Sequence, residues 1–492
     1  MKIAGKLLLC LVILLWSVQA VGQTGFEKWY GFGNYDEAKS IIPVTGGGYV
    51  ISGYFTEELS AAWDTETRAA LIKVDESGNE VWRSTIQELE RYTGADILQD
   101  VFETADGGFV ATGTIQNSMW PSSEDLLIAR FNSGGDTLWT RYYDWDGYDR
   151  AQTIVEAADG SLIIGGSVEN LSGENDFFIF KTTATGDSVW LKRLGGDYND
   201  KCYDIIKTAD GNYIAAGYSQ SLGAYSYNCW LIKFDGDGTE IWNNLYEGSA
   251  ARNIRPTADG GYVIARSNGI LKIDADGNEV SNVDQSTWGG DGEIRCFIEI
   301  TGGGYMGTGM DNYIGPNWTL LNQQFLFVKL DASMDTVWTR IVGLLESNKG
   351  DEGFDIVETP DGGFLAVGFT AYGEGFTDMY LVKIDASGST AIESRPGRVL
   401  KDFTLEQNYP NPFNPETRIG FTLPKAENVT LDVYNILGQK VKTLVSQMLP
   451  AGAHTVSWNG TSDVGQKLAT GMYFYKMQAG AFTDMKKMLL VK

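Results

Sequence analysis

Residues 209–220 read ADGNYIAAGYSQ, and residues 229–242 read CWLIKFDGDGTEIW. The stretch reads as two β-hairpins in a row. The first turns at Asp210-Gly211, between alternating apolar residues. The second turns over Asp235 to Gly238 and ends on Trp242. Glycine supplies the positive φ such turns need, and Asp hydrogen-bonds its own backbone. The same unit returns along most of the chain, and that return decides the fold.

The residue after the first turn recurs as Tyr49, Phe109, Leu162, Tyr213, Tyr262, Tyr305 and Phe364. A basic landmark recurs as Lys73, Arg130, Lys181, Lys233, Lys272, Lys329 and Lys383. Nine residues beyond it stand Trp82, Trp139, Trp190, Trp242, Ser281, Trp338 and Ile392. The spacing between these two landmarks never changes, whereas the loop inside each unit varies. Seven units of four short strands predict an all-β fold, a seven-bladed β-propeller. A glycine stands four before the tryptophan position at 78, 135, 186, 238, 277 and 388, with Met334 as the exception. A different turn type is expected there. The fifth unit has the shortest middle loop and is expected to form the smallest blade.

Residues 27–33, EKWYGFG, look like the end of a repeat, with Trp29 in the part of Trp190. The seventh unit breaks off at DASGSTAI, short of a good fourth strand. An N-terminal strand completing the last blade repairs both ends and removes two exposed sheet edges.

Residues 1–20 carry a basic start, an apolar run of Leu7 to Trp16, and a small-residue end. That is a secretory signal pattern, with cleavage expected between Ala20 and Val21. The run is too short to span about 30 Å of hydrocarbon, and no other segment reads as a transmembrane segment. The formal charge is −26. Residues 402–492 hold nine Lys/Arg against seven Asp/Glu, so the acid excess lies in the propeller. Such a surface repels nucleic acid and anionic lipid and favours solubility. Of four cysteines, Cys10 lies in the leader; Cys202, Cys229 and Cys296 remain, with no disulfide expected.

The single histidine, His454, lies outside the propeller. Ser-His-Asp, Cys-His and histidine-bearing zinc chemistry are therefore excluded from the repeats. No catalytic residue, metal site or cofactor is assigned. The D-x-D-G stretches at Asp235 and Asp274 lack the third acid and the bidentate Glu of a calcium loop, and read as turns. The TGGG runs at 45–48 and 301–304 open no helix and also read as turns. The repeated basic residues read as structural, with strand-one acids Asp100, Asp204 and Asp355 as expected partners for some. The repeat tryptophans read as core. Trp63, Trp120 and Trp318 fall in the variable loops, Trp145 and Trp288 between blades. Exposed aromatics beside carboxylates stack on sugars, so these five are the candidate ligand-binding residues; packing of long loops on their own aromatics is the equal alternative. Strand arithmetic puts all these loops on one face of the disc.

Residues 393–402, ESRPGRVLKD, read as a linker. The segment 403–492 then alternates again, in about seven strands that fit a small immunoglobulin-like β-sandwich. It carries NYPNPFNP (Asn408, Tyr409, Pro410, Asn411, Pro412, Phe413, Asn414, Pro415), VYNILGQKV with Gly438, AGAHTVSWNG, and a terminal KKMLLVK with Lys486, Lys487 and Lys492. These motifs resemble the type A C-terminal sorting domain of the type IX secretion system of Bacteroidetes and related phyla. They are also similar to the Ig-like domain of flagellar hook-capping proteins. The first resemblance implies Sec export, passage through the outer membrane, removal of this domain and attachment to surface lipopolysaccharide. The Gly-x-x-x-Trp units resemble quinoprotein-type propellers, in which the Trp docks on the next blade; no quinone site accompanies them.

The expectation is thus a signal peptide (1–20), a propeller (24–392), a linker (393–402) and a sorting domain (403–492) that meets the type IX machinery. The propeller is read as a monomeric, secreted or surface-held binding or scaffold module for an extracellular glycan or protein. The rival is a carbohydrate-active enzyme using loop-face acids.

Overall fold

The computed structural model describes residues 25–491, apart from 32–34, 59–64, 87–95, 117–122, 146, 171, 224–226, 286–291, 315–319, 344–349, 372–376, 390–403, 406–407, 409–410, 416, 424–426, 450–451 and 481. The chain divides between Ile392 and Glu393 into two compact units.

In the first unit the repeat becomes seven four-stranded antiparallel sheets. Blade four shows the pattern: Asp200–Lys207, Tyr213–Ser219, Asn228–Phe234 and Glu240–Tyr246. Blade one runs Glu37–Pro43 to Glu80–Thr85, blade two Ile97–Glu103 to Thr137–Tyr143, and blade three Asp149–Glu156 to Ser188–Leu194. Blade five runs Ala251–Pro256 to Glu279–Asp284, and blade six Glu293–Glu299 to Thr336–Val342. Blade five has the shortest inner hairpin, as expected: two five-residue strands joined across Arg266 and Gly269. Blade seven takes Asp351–Glu358, Phe364–Thr370 and Asp378–Ile384 from the end of the unit and Phe26–Tyr30 from its start. First strands touch first strands all the way round, including the seventh against the first, so they form the inner wall of a closed ring.

Ring closure stands, but with a shift of register. Trp190 pairs with Lys181 and Trp242 with Lys233. The equivalent Lys383 pairs with Phe26, whereas Trp29 pairs with Tyr380 and is 43% exposed. Phe26, not Trp29, therefore fills the tryptophan position. The next blade confirms the phase. A Cβ on Gly78 would lie 2.6 Å from the Phe26 ring, just as one on Gly135 would lie 2.7 Å from Trp82 and one on Gly388 2.9 Å from Trp338. Tyr30, four residues on, donates to Gly78 O, as Tyr246 does to Gly277 O.

Met334 is not a different turn. It adopts φ 66°, and its N–H donates to Asp331 O at 3.0 Å, the bond Gly78 makes to Asp75. The reason lies in the preceding blade, which has Ser281 in place of the indole. Glycine is needed where an aromatic ring covers its Cα. Without the ring the space is filled by Met334, which is 4% exposed and packs with Tyr305 and Val283. The packing offsets the strain of a non-glycine residue at positive φ.

The seven cations also pair differently from expectation. Arg130, Lys233, Lys272 and Lys383 reach Asp106, Asp210, Asp259 and Asp361 of the first-hairpin turns at 2.6–2.8 Å, and Lys181 reaches Asp159 at 3.3 Å. The acids of strand one face elsewhere. Lys329, whose blade has Thr301-Gly302-Gly303-Gly304 instead of an Asp turn, donates to Ala386 O. Cys202, Cys229 and Cys296 are buried and free.

The second unit is a sandwich. Thr404–Leu405, Thr417–Leu423 and Gly452–Trp458 form one sheet; Lys440–Leu449, Glu427–Asn435, Gly471–Ala479 and Phe482–Leu490 form the other. Phe413, Trp458, Leu431 and Tyr475 lie in its core. The motif residues stitch the termini together. Asn408 N–H donates to Tyr475 Oη, Phe413 N–H to Leu489 O, and Asn411 Oδ1 accepts from Leu489 N–H.

Ser281→Trp alone is expected to cost about 1–3 kcal/mol through overpacking against Met334. Adding Met334→Gly should restore stability and leave a coupling of at least about 1 kcal/mol in chemical denaturation. Additive losses from the two changes would refute the paired seat.

Candidate functional site at the axial mouth

The site begins as a fault in the strand ladder. Every first strand carries a β-bulge near its start, for example between Ala38 and Ser40, Cys202 and Asp204, and Gly353 and Asp355. A bulge re-aims side chains. Here it sends two successive residues of each blade toward the axis, on the side away from the first-hairpin turns.

The deeper residues are Ser40, Asp100, Thr153, Asp204, Asn253, Cys296 and Asp355, and they close a circle of contacts. Ser40 Oγ lies 3.2 Å from carboxylate oxygens of both Asp100 and Asp355. Thr153 Oγ1 lies 3.2 Å from Asp100 and 3.3 Å from Asp204. Asn253 Nδ2 donates to Asp204 at 2.8 Å, and Cys296 Sγ lies 3.3 Å from both Asn253 Oδ1 and Asp355 Oδ1. Backbone N–H groups of Ile41, Ile154 and Ile254 each donate to the acid of a preceding blade. Arg255 reaches across to Asp204 at 2.7 Å and Asp355 at 3.8 Å. Two carboxyls thus share one guanidinium, whose charge also acts on Asp100, in a region largely closed to water. Burial pushes Asp100 up to about 6, with the Asp204 charge adding to the shift. Burial raises Asp204 as well, against the pull of Arg255.

Nearer the mouth stand the bulged residues Lys39, Gln99, Gln152, Tyr203, Arg252, Arg295 and Phe354. Lys39 lies 4.3 Å over the Phe354 ring, and Arg252 4.7 Å over Tyr203. Glu293 takes Arg252 at 3.6 Å and Arg295 at 3.0 Å, and Arg295 also clamps Glu352. The mouth is therefore a collar of charges and rings over a saturated polar floor. Sequence reasoning missed it. Its signal was present as a hydrogen-bonding residue at the equivalent place in every first strand, Ser, Thr, Asn and Cys interspersed with three Asp.

Of the five candidate tryptophans, Trp63, Trp120, Trp288 and Trp318 lie outside the described residues. Trp145 is half-buried; its ring packs edge-on to Phe178 and Phe180 at 5.3 and 5.0 Å, and its N–H donates to Asp149. These are packing contacts of a ring that keeps part of its surface exposed. Ala20, Val21, Tyr409, Pro410 and Lys492 also fall outside. Among the described residues no helix is long and apolar enough to cross a membrane.

A family model described as the FlgD Ig-like domain matches residues 409–481. The regulatory protein FlaEY of Caulobacter vibrioides is 25% identical over 162 residues, which is 29% of this chain and 17% of that protein's length. The chain thus spans under a fifth of that relative. Among solved structures, PorZ of Porphyromonas gingivalis, described as an essential surface component of the type-IX secretion system, is 11% identical with a TM-score of 0.41, covering 91% of this chain and 58% of that one. The extracellular domain of the putative hybrid two-component system BT3049 of B. thetaiotaomicron is 8% identical with a TM-score of 0.44, covering 94% and 57%. These are likenesses of fold.

The pH response follows from the floor. Asp100 has a folded value above its unfolded value near 3.8, so folding takes up a proton as pH falls through about 6. Stability is expected to rise by up to about 3 kcal/mol from this group between pH 7 and pH 4. Below pH 4 the turn acids reverse the trend, because Asp159 and Asp259, held at about 2 by hydroxyl and lysine partners, lose those bonds on protonation. Denaturation at pH 7 and 5 should show the gain in the native chain and a smaller one in Asp100→Asn, where Asp204 alone still takes up a proton. A native chain that weakens steadily from pH 7 to 5 sinks the assignment.

Proposed function

We propose that the chain is an exported binding module whose ligand seats on the axial mouth and the loops around it. The observation that carries this reading is the collar itself: seven bulges deliver different side chains to one place, on a rigid ring whose floor is already satisfied. Binding sites commonly combine a fixed scaffold with varied, converging groups. The rival, a hydrolase or lyase using paired acids, needs a carboxylate free to take or give a proton. Asp100, Asp204 and Asp355 instead hold adjoining blades together through backbone and side-chain hydrogen bonds. That occupation favours binding.

The delivery half rests on the leader pattern at 1–20 and on the sorting-domain motifs of 403–492. In this reading the leader ends at Ala20, the sandwich meets the type IX machinery, and the monomeric propeller acts outside the cell, released or held at the surface.

On a glycan array the full-length chain is expected to bind, and Phe354→Ala should weaken binding by about 1–3 kcal/mol at unchanged melting temperature. Asp237→Ala, on an exposed turn of the opposite face, should change nothing. The reverse pattern would put the site on the wrong face. In cells, the mature N-terminus should be Val21 and removal of 403–492 should strand the protein in the periplasm; normal surface display of that truncation refutes the delivery role.

A further inference from the structure

The collar is not electrically uniform, and the imbalance sits on one residue. Lys201 opens the inner strand of blade four and pairs, backbone to backbone, with Tyr218. Its side chain is half-buried. Among the described residues its ammonium forms no ion pair and no hydrogen bond; the charge of Glu124 is felt only at a distance. Two more cations bear on it, and each is already engaged. Arg150 clamps Glu124 through Nε and Nη2. Arg252 donates to Ser267 Oγ, lies 3.6 Å from Glu293 and covers Tyr203. Burial, then the charges of Arg150 and Arg252, push the Lys201 pKa down. An unpaired, partly desolvated cation beside two others is destabilising. The carboxylate that acts on it, Glu124, is clamped by Arg150, so among the described residues Lys201 is left without an ion pair of its own.

Beside it runs an aromatic path. Tyr203 lies 5.9 Å from Tyr218, and Tyr218 lies 4.9 Å from Tyr227, which is 52% exposed. Inorganic phosphate or sulfate has no use for such a path, and a polyanion is repelled by the acidic disc. A sugar ring has an apolar face suited to an aromatic surface, and a uronic acid adds one carboxylate. We propose that the sector formed by blades three to five binds an oligosaccharide bearing a single uronate, with the carboxylate on Lys201 and the sugar face on the Tyr203–Tyr227 path. The inference rests on the mouth being the binding site.

The test is titration calorimetry of the full chain with three probes: glucuronosyl-xylotriose, its carboxyl methyl ester, and an end-blocked Gly-Glu-Gly peptide. The acid sugar is expected to bind at least tenfold more tightly than the ester or the peptide. Lys201→Met should abolish that preference while the melting temperature holds or rises, since a like-charge repulsion is relieved. Lys201→Arg should keep it, which separates loss of charge from misfolding. Tyr227→Ala should weaken both sugars. Equal binding of acid and ester, preference for the peptide, or an unaffected Lys201→Met overturns the inference. If the acid sugar fails while another glycan binds in a Phe354-dependent way, the mouth stands and the uronate does not. If no glycan responds to Phe354 or Tyr203, both fall.

Discussion

The disc depends on one contact made at six of its seven blade junctions: a flat ring from the outer strand of one blade laid on the backbone of a turn in the next. The contact works because the turn residue has no Cβ. A methyl group at Gly135, Gly238 or Gly388 would meet indole carbons at 2.7–3.0 Å. The same glycine supplies the positive φ that closes the turn. One residue thus satisfies a local constraint and an interblade one. The single junction without an aromatic ring is also the single turn without a glycine, so the two constraints are lifted together.

The repeat was legible because its period survives variation in the loops, and because turn chemistry is local. What the sequence hid is registration between distant pieces. Trp29 stands three residues from Phe26 and is the larger ring, so composition favoured it. Pairing with Lys383 and the seat on Gly78 favour Phe26. The cation partners were hidden for a similar reason. Asp210 and Lys233 are far apart in the chain, and only the meander brings turn and strand together. The axial collar was the hardest to see. No single residue type holds the position in every blade, and a bulge, which the sequence does not mark, decides which side chains reach the axis.

At the axis the blades meet through polar atoms instead of rings. Acids from blades two, four and seven accept backbone N–H groups of their neighbours, and hydroxyl, amide and thiol groups fill the intervals. Desolvation makes such a belt costly when incomplete and specific when complete. It fixes blade order, and it leaves the bulged residues above it free to vary.

Glu27 and Tyr380, joined by a hydrogen bond, are separated by 353 residues. A ring sealed this way has no finished edge until nearly the whole repeat array exists. The first strand made is the last to find its partner, and until then two sheet edges stand open together. This is an order of assembly written into the connectivity: blades first, latching last. Closing a loop of that length adds an entropic term that grows only with the logarithm of length. The late latch is therefore a matter of timing more than of stability, and it places the period of greatest stickiness just before the ring closes.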